Sequence, residues 1–229
     1  MKVMIFAAGV GERMRPLTDH TPKPLLQAGG MPLIEYHLRA LAASGLPEIV
    51  INVSHLGEQI ESFCGDGSRW GVNIAYSRED TPLETAGGIQ AALPLLGPDP
   101  FLVVNGDVWT EYPLGALAAR GLTAGETAHI VMVGNPPQHP DGDFYLDEAG
   151  WLRRRAEGQV GCTYAGIGIY SPALFTNLSP GKLALRPLLD AAIGAGTLGG
   201  EFYAGRWRDI GTPERLAALD TELGNARAT

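Results

Sequence analysis

The sequence lacks the features that would place it in a membrane or on a nucleic acid. No stretch approaches the roughly 18 consecutive apolar residues that a transmembrane helix needs. Lysine and arginine number 17 against 25 aspartates and glutamates, which gives a net charge of −8. Most of such a surface repels a polyanion such as DNA. We therefore expect no membrane partner and no nucleic-acid partner.

Cysteine is also scarce, because the chain contains only Cys64 and Cys162, which form no CxxC pair. Two reduced thiols in a cytosolic protein are the expected arrangement. The apolar run at residues 3–8 is too short for the core of a signal peptide. These observations predict a cytoplasmic protein. The lack of an obvious apolar tail for assembly favours a monomer.

The first half of the chain alternates between strand and helix patterns. Hydrophobic residues make up 45% of the sequence, which is enough to bury one sizeable core. The predicted strands are at 3–7, 49–53, 73–76 and 101–104, and the predicted helices are at 32–44, 55–63 and 85–95. This order predicts an α/β fold of Rossmann-like type, with a mainly parallel sheet and helices on both faces.

The second half is less regular and predicts a small C-terminal α+β elaboration of the same domain. We predict strands at 130–134, 163–170 and 203–210, and a hairpin that joins 144–146 to 151–153. A helix at 182–193 should be interrupted near Pro187, and a last helix should begin at Pro213 with Thr212 as its cap. Residues 1–229 are therefore expected to form a single domain.

The segment after the first predicted strand carries the strongest functional signal. Ligands of open α/β sheets bind beyond the carboxyl ends of the strands, where this loop begins. Gly9 and Gly11 let main-chain N–H groups approach phosphate oxygens closely. Arg13, Arg15 and Lys23 add three cations within eleven residues of an acidic chain. For a lone pair of glycines, a turn with solvated charges is the alternative interpretation.

Two common phosphate-binding loops are excluded at this position. The dinucleotide fingerprint needs a third glycine where Met14 stands, and no Gly-Lys-Ser/Thr tripeptide follows. What remains is a loop of roughly seventeen residues before the first predicted helix, and loops of that length in compact domains are usually functional.

Two aspartates stand at the carboxyl ends of predicted strands. Asp107 follows Asn105 and Gly106, and Asp209 follows residues 203–208 of the late predicted strand. Mg²⁺ takes only one or two protein carboxylates and completes its shell with waters and substrate phosphates. The pair is therefore a candidate metal site, and a turn or helix cap is the alternative for Asp107.

With these motifs, the sequence resembles the sugar-phosphate nucleotidyltransferase family. The family signature is Gly-x-Gly-x-Arg-x-x-Pro-Leu-Thr, followed by Pro-Lys-Pro. Nine residues match it position for position: Gly9, Gly11, Arg13, Pro16, Leu17, Thr18, Pro22, Lys23 and Pro24. The similarity continues through Asn105-Gly106-Asp107 and the segment 207–212. It implies an enzyme that transfers a nucleoside monophosphate from a nucleoside triphosphate to a sugar 1-phosphate and releases pyrophosphate.

The resemblance also implies the roles of individual residues. Arg13 stabilises the departing triphosphate end, Lys23 contacts the phosphates of both substrates, and these two with Asp107 form the catalytic set. Mg²⁺ is held by Asp107 and Asp209. The implied nucleotide-binding residues are Ala8, Gly9, Gly11, Glu12, Arg13, Lys23, Glu84 and Gly88. The implied sugar-phosphate-binding residues are Asn105, Asp143, Glu157, Thr163 and Gly166.

Some of these roles have equal structural alternatives. The resemblance places the main chain near Gly88 beside the nucleobase and makes Glu84 an acceptor for a base or ribose donor. Glu84 could equally compensate the charge of a helix N-terminus. Asp143 could equally be a turn residue.

Within the family, the chain most resembles the short bacterial uridylyltransferases that act on N-acetylmuramic acid 1-phosphate in cell-wall recycling. The matching segments are 82–85, 105–110 and 142–144. This implies a nucleotide-binding half at residues 1–110 and a sugar-binding half at 111–229. Guanylyl transfer to mannose 1-phosphate and thymidylyl or uridylyl transfer to glucose 1-phosphate are the alternatives.

Two further alternatives belong to other functional classes. The missing third glycine argues against a dinucleotide-dependent oxidoreductase. The intact set of Arg13, Lys23, Asp107 and Asp209 argues against a non-catalytic module that only binds nucleotide sugars.

Overall fold

The computed structural model describes residues 1–228, and one seven-stranded sheet organises them. In chain order the strands are β1 (Val3–Phe6), β2 (Gln27–Ala28), β3 (Met31–Pro32), β4 (Glu48–Val53), β5 (Asn73–Arg78), β6 (Phe101–Asn105), β7 (Val108–Thr110), β8 (Ala128–Val133), β9 (Tyr145–Leu146), β10 (Leu152–Arg153), β11 (Thr163–Tyr170), β12 (Leu198–Tyr203) and β13 (Trp207–Asp209). The α-helices are α1 (Leu33–Ala43), α2 (Gly57–Cys64), α3 (Glu84–Leu96), α4 (Leu114–Arg120), α5 (Arg186–Ala195) and α6 (Pro213–Ala228).

The large sheet has the strand order β12-β8-β11-β6-β1-β4-β5. Every neighbouring pair is parallel except the two that contain β11, which runs antiparallel to both β6 and β8. Three short two-stranded ladders, β2–β3, β7–β13 and β9–β10, lie outside it. The predicted α/β fold with a mainly parallel sheet is confirmed.

Both faces of the sheet are buried, which explains why its central strands are continuous apolar runs. Successive side chains of a strand point to opposite faces. On β1, Ile5 packs in a core with Leu38 of α1, while Met4 packs in a second core with Ile89 of α3. Burial of each such side chain stabilises the fold by about 1.5–3 kcal/mol. The helices on both faces leave the carboxyl ends of β1, β4 and β6 to form one end of the sheet.

Two details of the second half differ from prediction. The helix predicted at 182–193 begins only at Arg186, and Pro187 lies in its first turn. Proline is tolerated there because the first N–H groups of a helix have no intrahelical partner, so Pro187 helps to start α5 instead of interrupting it. The strand predicted at 203–210 is two strands, β12 and β13, that belong to different sheets.

Other predictions for the second half are confirmed. The hairpin forms as β9 and β10, and Thr212 caps α6, since its hydroxyl accepts a hydrogen bond from Arg215 N at 3.4 Å.

Cys64 and Cys162 are both free thiols. Within the described chain, none of the helices has the length and apolar character needed to span a bilayer.

An irregular segment before α5 crosses the start of α3. Leu183 donates to Leu83 O at 2.9 Å and accepts from Ala86 N at 2.9 Å. The crossing is so close that a Cβ at Gly87 would lie 2.2 Å from Gly181 O. A glycine in a helix normally weakens it, so Gly87 is explained by this approach of two backbones.

We predict that Gly87→Ala destabilises the protein by about 1–3 kcal/mol, because the added methyl group forces the 181–183 backbone away. Gly194→Ala is the matched control, since Gly194 is also helical and its Cβ would meet open space. The control should be neutral or more stable by up to about 1 kcal/mol. Urea unfolding measures both, and equal effects of the two changes would contradict the proposed close contact.

A largely buried ionic cluster lies around the start of β8. Glu126 accepts from Arg120 at 2.8 Å and contacts His129 Nδ1 at 3.0 Å. Burial raises the pKa of Glu126, but hydrogen bonds from Arg120, the Thr123 amide and His129 outweigh this effect and lower its pKa to about 2. A carboxyl group with a lowered pKa stabilises the fold above its unfolded pKa and loses that contribution as the pH falls.

We therefore predict that Glu126→Gln destabilises the protein most at pH 7, by about 3 kcal/mol at most. The difference from the unsubstituted chain should shrink as the pH falls from about 4.5 toward 2. Denaturant unfolding between pH 7 and pH 3 tests this. Glu148→Gln, at an exposed turn, serves as the control and should show no such pH dependence. A Glu126→Gln effect that is constant with pH would contradict the assignment.

Candidate active site

A cavity of about 630 Å³ lies at the carboxyl ends of the central strands. It is lined by Phe6, Ala7, Ala8, Gly9, Val10, Gly11, Glu12, Arg13, Met14, Lys23, Pro24, Asn52, Glu79, Pro82, Glu84, Thr85, Asn105, Gly106, Asp107, Lys182 and Gly211. Open α/β sheets bind ligands at this position. Nine residues predicted for the site share the cavity: Ala8, Gly9, Gly11, Glu12, Arg13, Lys23, Glu84, Asn105 and Asp107.

Contacts within the protein fix the shape of the loop after β1. Gly11 has φ 71°, a left-handed conformation that suits glycine, and its carbonyl accepts from Thr18 Oγ1 and Met14 N, both at 2.8 Å. Met14 is fully buried, whereas its neighbour Arg13 is exposed and lines the cavity. The buried methionine thus anchors a short 3₁₀ turn that presents the arginine to the cavity.

An ion pair joins this loop to the end of β6. Lys23 Nζ lies 2.7 Å from Asp107 Oδ2, and the two side chains are 11% and 34% exposed. Asp107 can come so near because β6 ends against β1, where a Cβ at Gly106 would lie 2.2 Å from Phe6 O. Solvent and salt screen a half-buried charge pair less than a surface pair, so the attraction between Lys23 and Asp107 is stronger than that of an exposed pair.

Asp209 lies close to this ion pair in the structure, at the end of β13. Ile210 N donates to Asp107 O at 2.8 Å, which places the end of β13 next to Asp107. Asp209 Oδ2 is ion-paired with Arg215. Its Oδ1 and Arg13 Nη2 both approach Gly211, where a Cβ would lie 3.3 Å from the first and 3.4 Å from the second.

The structure therefore places Asp209 between two cavities. Gly211 lines the cavity that contains Asp107, whereas Asp209 itself lines a second cavity of about 590 Å³ with Trp207 and Arg215. The two aspartates predicted as one metal site line different cavities in this arrangement, because Arg215 holds Oδ2 of Asp209 on the side of the second one.

The donor set near Asp107 suits a hard divalent cation, although it is small. Among residues 1–228, no three His, Cys, Asp or Glu side chains are grouped as metal ligands. Two carboxylates on adjacent strand ends are nevertheless what Mg²⁺ uses when phosphates and waters supply its other ligands. Asp107 and Asp209 each have a second oxygen beyond the one in their ion pair.

Most of the predicted sugar-binding residues line neither the first nor the second cavity. Asn105 lines the first, and Gly166 packs against it, since a Cβ at Gly166 would lie 2.7 Å from Asn105 Nδ2. Asp143 Oδ2 accepts from Tyr164 N at 2.8 Å, and Thr163 Oγ1 donates to Asn135 Oδ1 at 2.9 Å. Glu157 lies exposed in the turn at residues 156–159.

At the start of α3, the cavity is lined by an acid in an uncommon backbone conformation. Glu84 has φ 58°, which is sparsely populated for residues other than glycine, and such residues concentrate at functional sites. Its Oε1 lies 3.4 Å from Lys182 Nζ, and both residues line the cavity. Gly88 does not line it. A Cβ at Gly88 would lie 2.9 Å from Glu79 Oε1 and 3.1 Å from Asn52 Nδ2, so protein atoms occupy the space that this glycine leaves.

Three residues of the cavity with charged or amide side chains were not predicted from the sequence, namely Lys182, Asn52 and Glu79. Two of them carried a signal. Asn52 is a polar residue within the apolar strand β4, and Glu79 is an acid directly after β5, much as Asp107 closely follows β6. Lys182 carried none, because it lies in the irregular segment before α5.

No histidine lines the first cavity in the part of the chain that the structure describes. His37 packs behind Asp107, and burial lowers its pKa to about 4, although a hydrogen bond with the Val108 main chain and the Asp107 charge oppose the shift. It is therefore uncharged at neutral pH.

Comparison with known proteins agrees with this architecture. The profile of the nucleotidyl transferase family matches residues 2–225. The chain is 51% identical over 228 residues to an N-acetylmuramate alpha-1-phosphate uridylyltransferase of Neisseria meningitidis serogroup B, covering 98% of this chain and 99% of that one. It is 33% identical to a mannose-1-phosphate guanyltransferase of Schizosaccharomyces pombe, covering 93% of this chain and 62% of the longer relative.

A solved structure shares the fold at lower sequence identity. A Bacillus anthracis protein described as a glucose-1-phosphate thymidylyltransferase, crystallised with a sucrose, superposes with a TM-score of 0.86. The two chains are 22% identical, and the match covers 98% of this chain and 96% of that one. The extent of the family match and of the 51% identity leads to one conclusion: this chain belongs to the nucleotidyl transferase family.

Proposed function

We propose that this protein transfers UMP from UTP to N-acetylmuramic acid 1-phosphate and releases pyrophosphate, in the recycling of cell-wall sugars. The observation that carries the proposal is the 51% identity to the Neisseria meningitidis uridylyltransferase over nearly the whole of both chains. The cavity supports it, because Arg13, Lys23 and Lys182 bring three cations to one side of an acidic protein.

The reaction requires the protein to bring two anions together. A phosphate oxygen of the sugar 1-phosphate attacks the α-phosphorus of UTP, a new P–O bond forms, and the bond to the bridging α,β oxygen breaks. A phosphate dianion is already a nucleophile near neutral pH, so no side chain has to accept a proton. Catalysis then depends on positioning and on neutralisation of charge.

Each basic residue has a distinct position for this task. Arg13 extends from the loop after β1, where its planar guanidinium suits the departing pyrophosphate end. Lys23 is largely buried and fixed by Asp107, so its ammonium group is preorganised for phosphate oxygens at the strand ends. Main-chain N–H groups of Gly9 and Gly11 complete the phosphate-binding surface.

Mg²⁺ fits the acidic side of the cavity in this proposal. Asp107 and Asp209 would hold it, and it would supply neutralisation of phosphate charge. Asp209 would contribute through Oδ1, which approaches Gly211 of the first cavity, while Oδ2 stays paired with Arg215.

The proposal assigns nucleotide binding to residues 1–110 and sugar binding to residues 111–229, with Asp143, Glu157, Thr163 and Gly166 on the sugar side. Gly88 and Glu84 are assigned to the nucleobase end. Monomeric state and cytoplasmic location stay predictions. Guanylyl transfer to mannose 1-phosphate is the second candidate, because a guanyltransferase is 33% identical to 93% of this chain.

We expect Arg13→Ala to lower the rate of pyrophosphate release about 10²–10³-fold, because one preorganised charge contact to the leaving group is lost. Arg13 is exposed, so the urea midpoint should not change. Arg15→Ala is the matched control, since Arg15 is exposed two residues away, pairs with Asp19 and does not line the cavity. Its rate should stay within about threefold. Equal losses in both variants would remove the role assigned to Arg13.

A second test compares UTP, GTP, dTTP and CTP, each with N-acetylmuramic acid, mannose and glucose 1-phosphates. We expect kcat/KM for UTP with N-acetylmuramic acid 1-phosphate to exceed every other pair by at least about tenfold. Pyrophosphate release measures turnover. A preference for GTP with mannose 1-phosphate would favour the second candidate. Tight binding of nucleotide sugar without turnover of any pair would instead indicate a binding module.

A further inference from the structure

A buried series of hydrogen bonds lies beside the cavity and includes two of its lining residues, Asn52 and Glu79. Asn52 is 2% exposed, and its Oδ1 accepts from Ala7 N at 2.8 Å. Its Nδ2 donates to Glu79 Oε1 at 2.8 Å, and Glu79 Oε2 accepts from Leu83 N at 2.8 Å. Three bonds thus connect the first residue after β1 with the residue before α3.

The series of hydrogen bonds begins and ends in the two loops that a nucleotide in this cavity would have to contact. Ala7 begins the loop after β1, residues 7–24, which we call the phosphate loop. Leu83 ends the segment 79–83 between β5 and α3, which we call the base-side loop. Asn52 lies on β4 and Glu79 directly follows β5, so both are fixed by the sheet between those loops. The hydrogen bonds therefore set the distance from the phosphate loop to the start of α3.

Burial of the Glu79 carboxyl group in this hydrogen-bonded network costs folding free energy. Glu79 is only 6% exposed, and in the described part of the chain no Lys, Arg or His lies within ion-pair distance of it. A buried carboxyl group without a cationic partner destabilises a fold unless hydrogen bonds compensate. Here both carboxyl oxygens accept N–H groups, and Gly88 provides the space for the pair.

We propose that Asn52 and Glu79 are positioning residues that hold the phosphate loop and the base-side loop at the separation that the nucleoside triphosphate requires. This inference rests on the proposed function. It predicts that the pair controls the KM for UTP and leaves the KM for the sugar 1-phosphate unchanged, because the sugar-side residues belong to other strands.

The role of Asn52 and Glu79 can be tested by exchanging the amide and the carboxyl group between the two positions. In Glu79→Gln, two amides replace an amide and a carboxyl group, so one of the three links is lost whichever way the amides turn. In Asn52→Asp, two carboxylates face each other, so its defect should grow as the pH rises. The double variant Asn52→Asp with Glu79→Gln restores all three links. The carboxylate introduced at position 52 then accepts from Ala7 N and from the amide introduced at position 79, and the oxygen of that amide accepts from Leu83 N.

We expect Glu79→Gln to raise the KM for UTP about tenfold and to lower kcat/KM for UTP by up to about 100-fold. The KM for the sugar 1-phosphate should change less than about twofold. The double variant should return the KM for UTP to within about threefold of the unsubstituted chain. Hydrogen exchange of the segments that contain Ala7 and Leu83 should be faster in Glu79→Gln and normal in the double variant.

The results that would contradict the positioning role can be distinguished from one another. A double variant no better than Glu79→Gln would overturn the proposal and indicate direct contact of either side chain with the nucleotide. A lower unfolding midpoint with unchanged KM would also overturn it, because the role would then be purely structural. If the unsubstituted chain turns over no substrate pair, the proposed function fails. The exchange measurement then still decides whether the three bonds join the two loops.

Discussion

The ion pair of Lys23 and Asp107 is the contact on which the arrangement of the site depends. It joins a loop near the N-terminus to the end of β6 across 84 residues of sequence, at 2.7 Å. Because the lysine is largely buried, its charge needs a fixed partner, and because the aspartate stands on a strand end, its position is set by the sheet. The pair thereby brings a cation and a carboxylate, the two groups that phosphoryl transfer requires, to one place.

Close approach of backbones makes this placement possible. Gly106 allows β6 to end against β1, Gly87 allows the 181–183 segment to cross α3, and Gly88 leaves space for Asn52 and Glu79. Each position would meet protein atoms if it had a Cβ. The floor of the cavity and the start of α3 are consequently closely packed, while Arg13 and Lys182 are exposed. A closely packed floor with exposed cations beside it suits a reaction in which positioning supplies most of the rate acceleration.

Much of the fold could be predicted from the sequence because its signals are local. Apolar runs indicated β1, β4 and β6, the Asp-Glu-Ala-Gly turn at 147–150 indicated the β9–β10 hairpin, and Thr212 indicated a cap. Features set by distant partners could not be predicted. The strand at 203–210 divides because β12 pairs with β8 while β13 pairs with β7, and Pro187 starts α5 where a proline also commonly interrupts a helix. The cavity residues Asn52 and Glu79 meet only through the parallel pairing of β4 with β5, and the turn of Asp209 toward Arg215 depends on α6.

The most direct test of the account is a crystal structure with Mn²⁺ and a non-hydrolysable UTP analogue, with anomalous diffraction to locate the metal. The account predicts a Mn²⁺ ion bound by Asp107, by Oδ1 of Asp209 and by phosphate oxygens, with Arg13 and Lys23 on the same phosphates. A metal bound away from Asp107, or a triphosphate outside the cavity beyond β1 and β6, would contradict it.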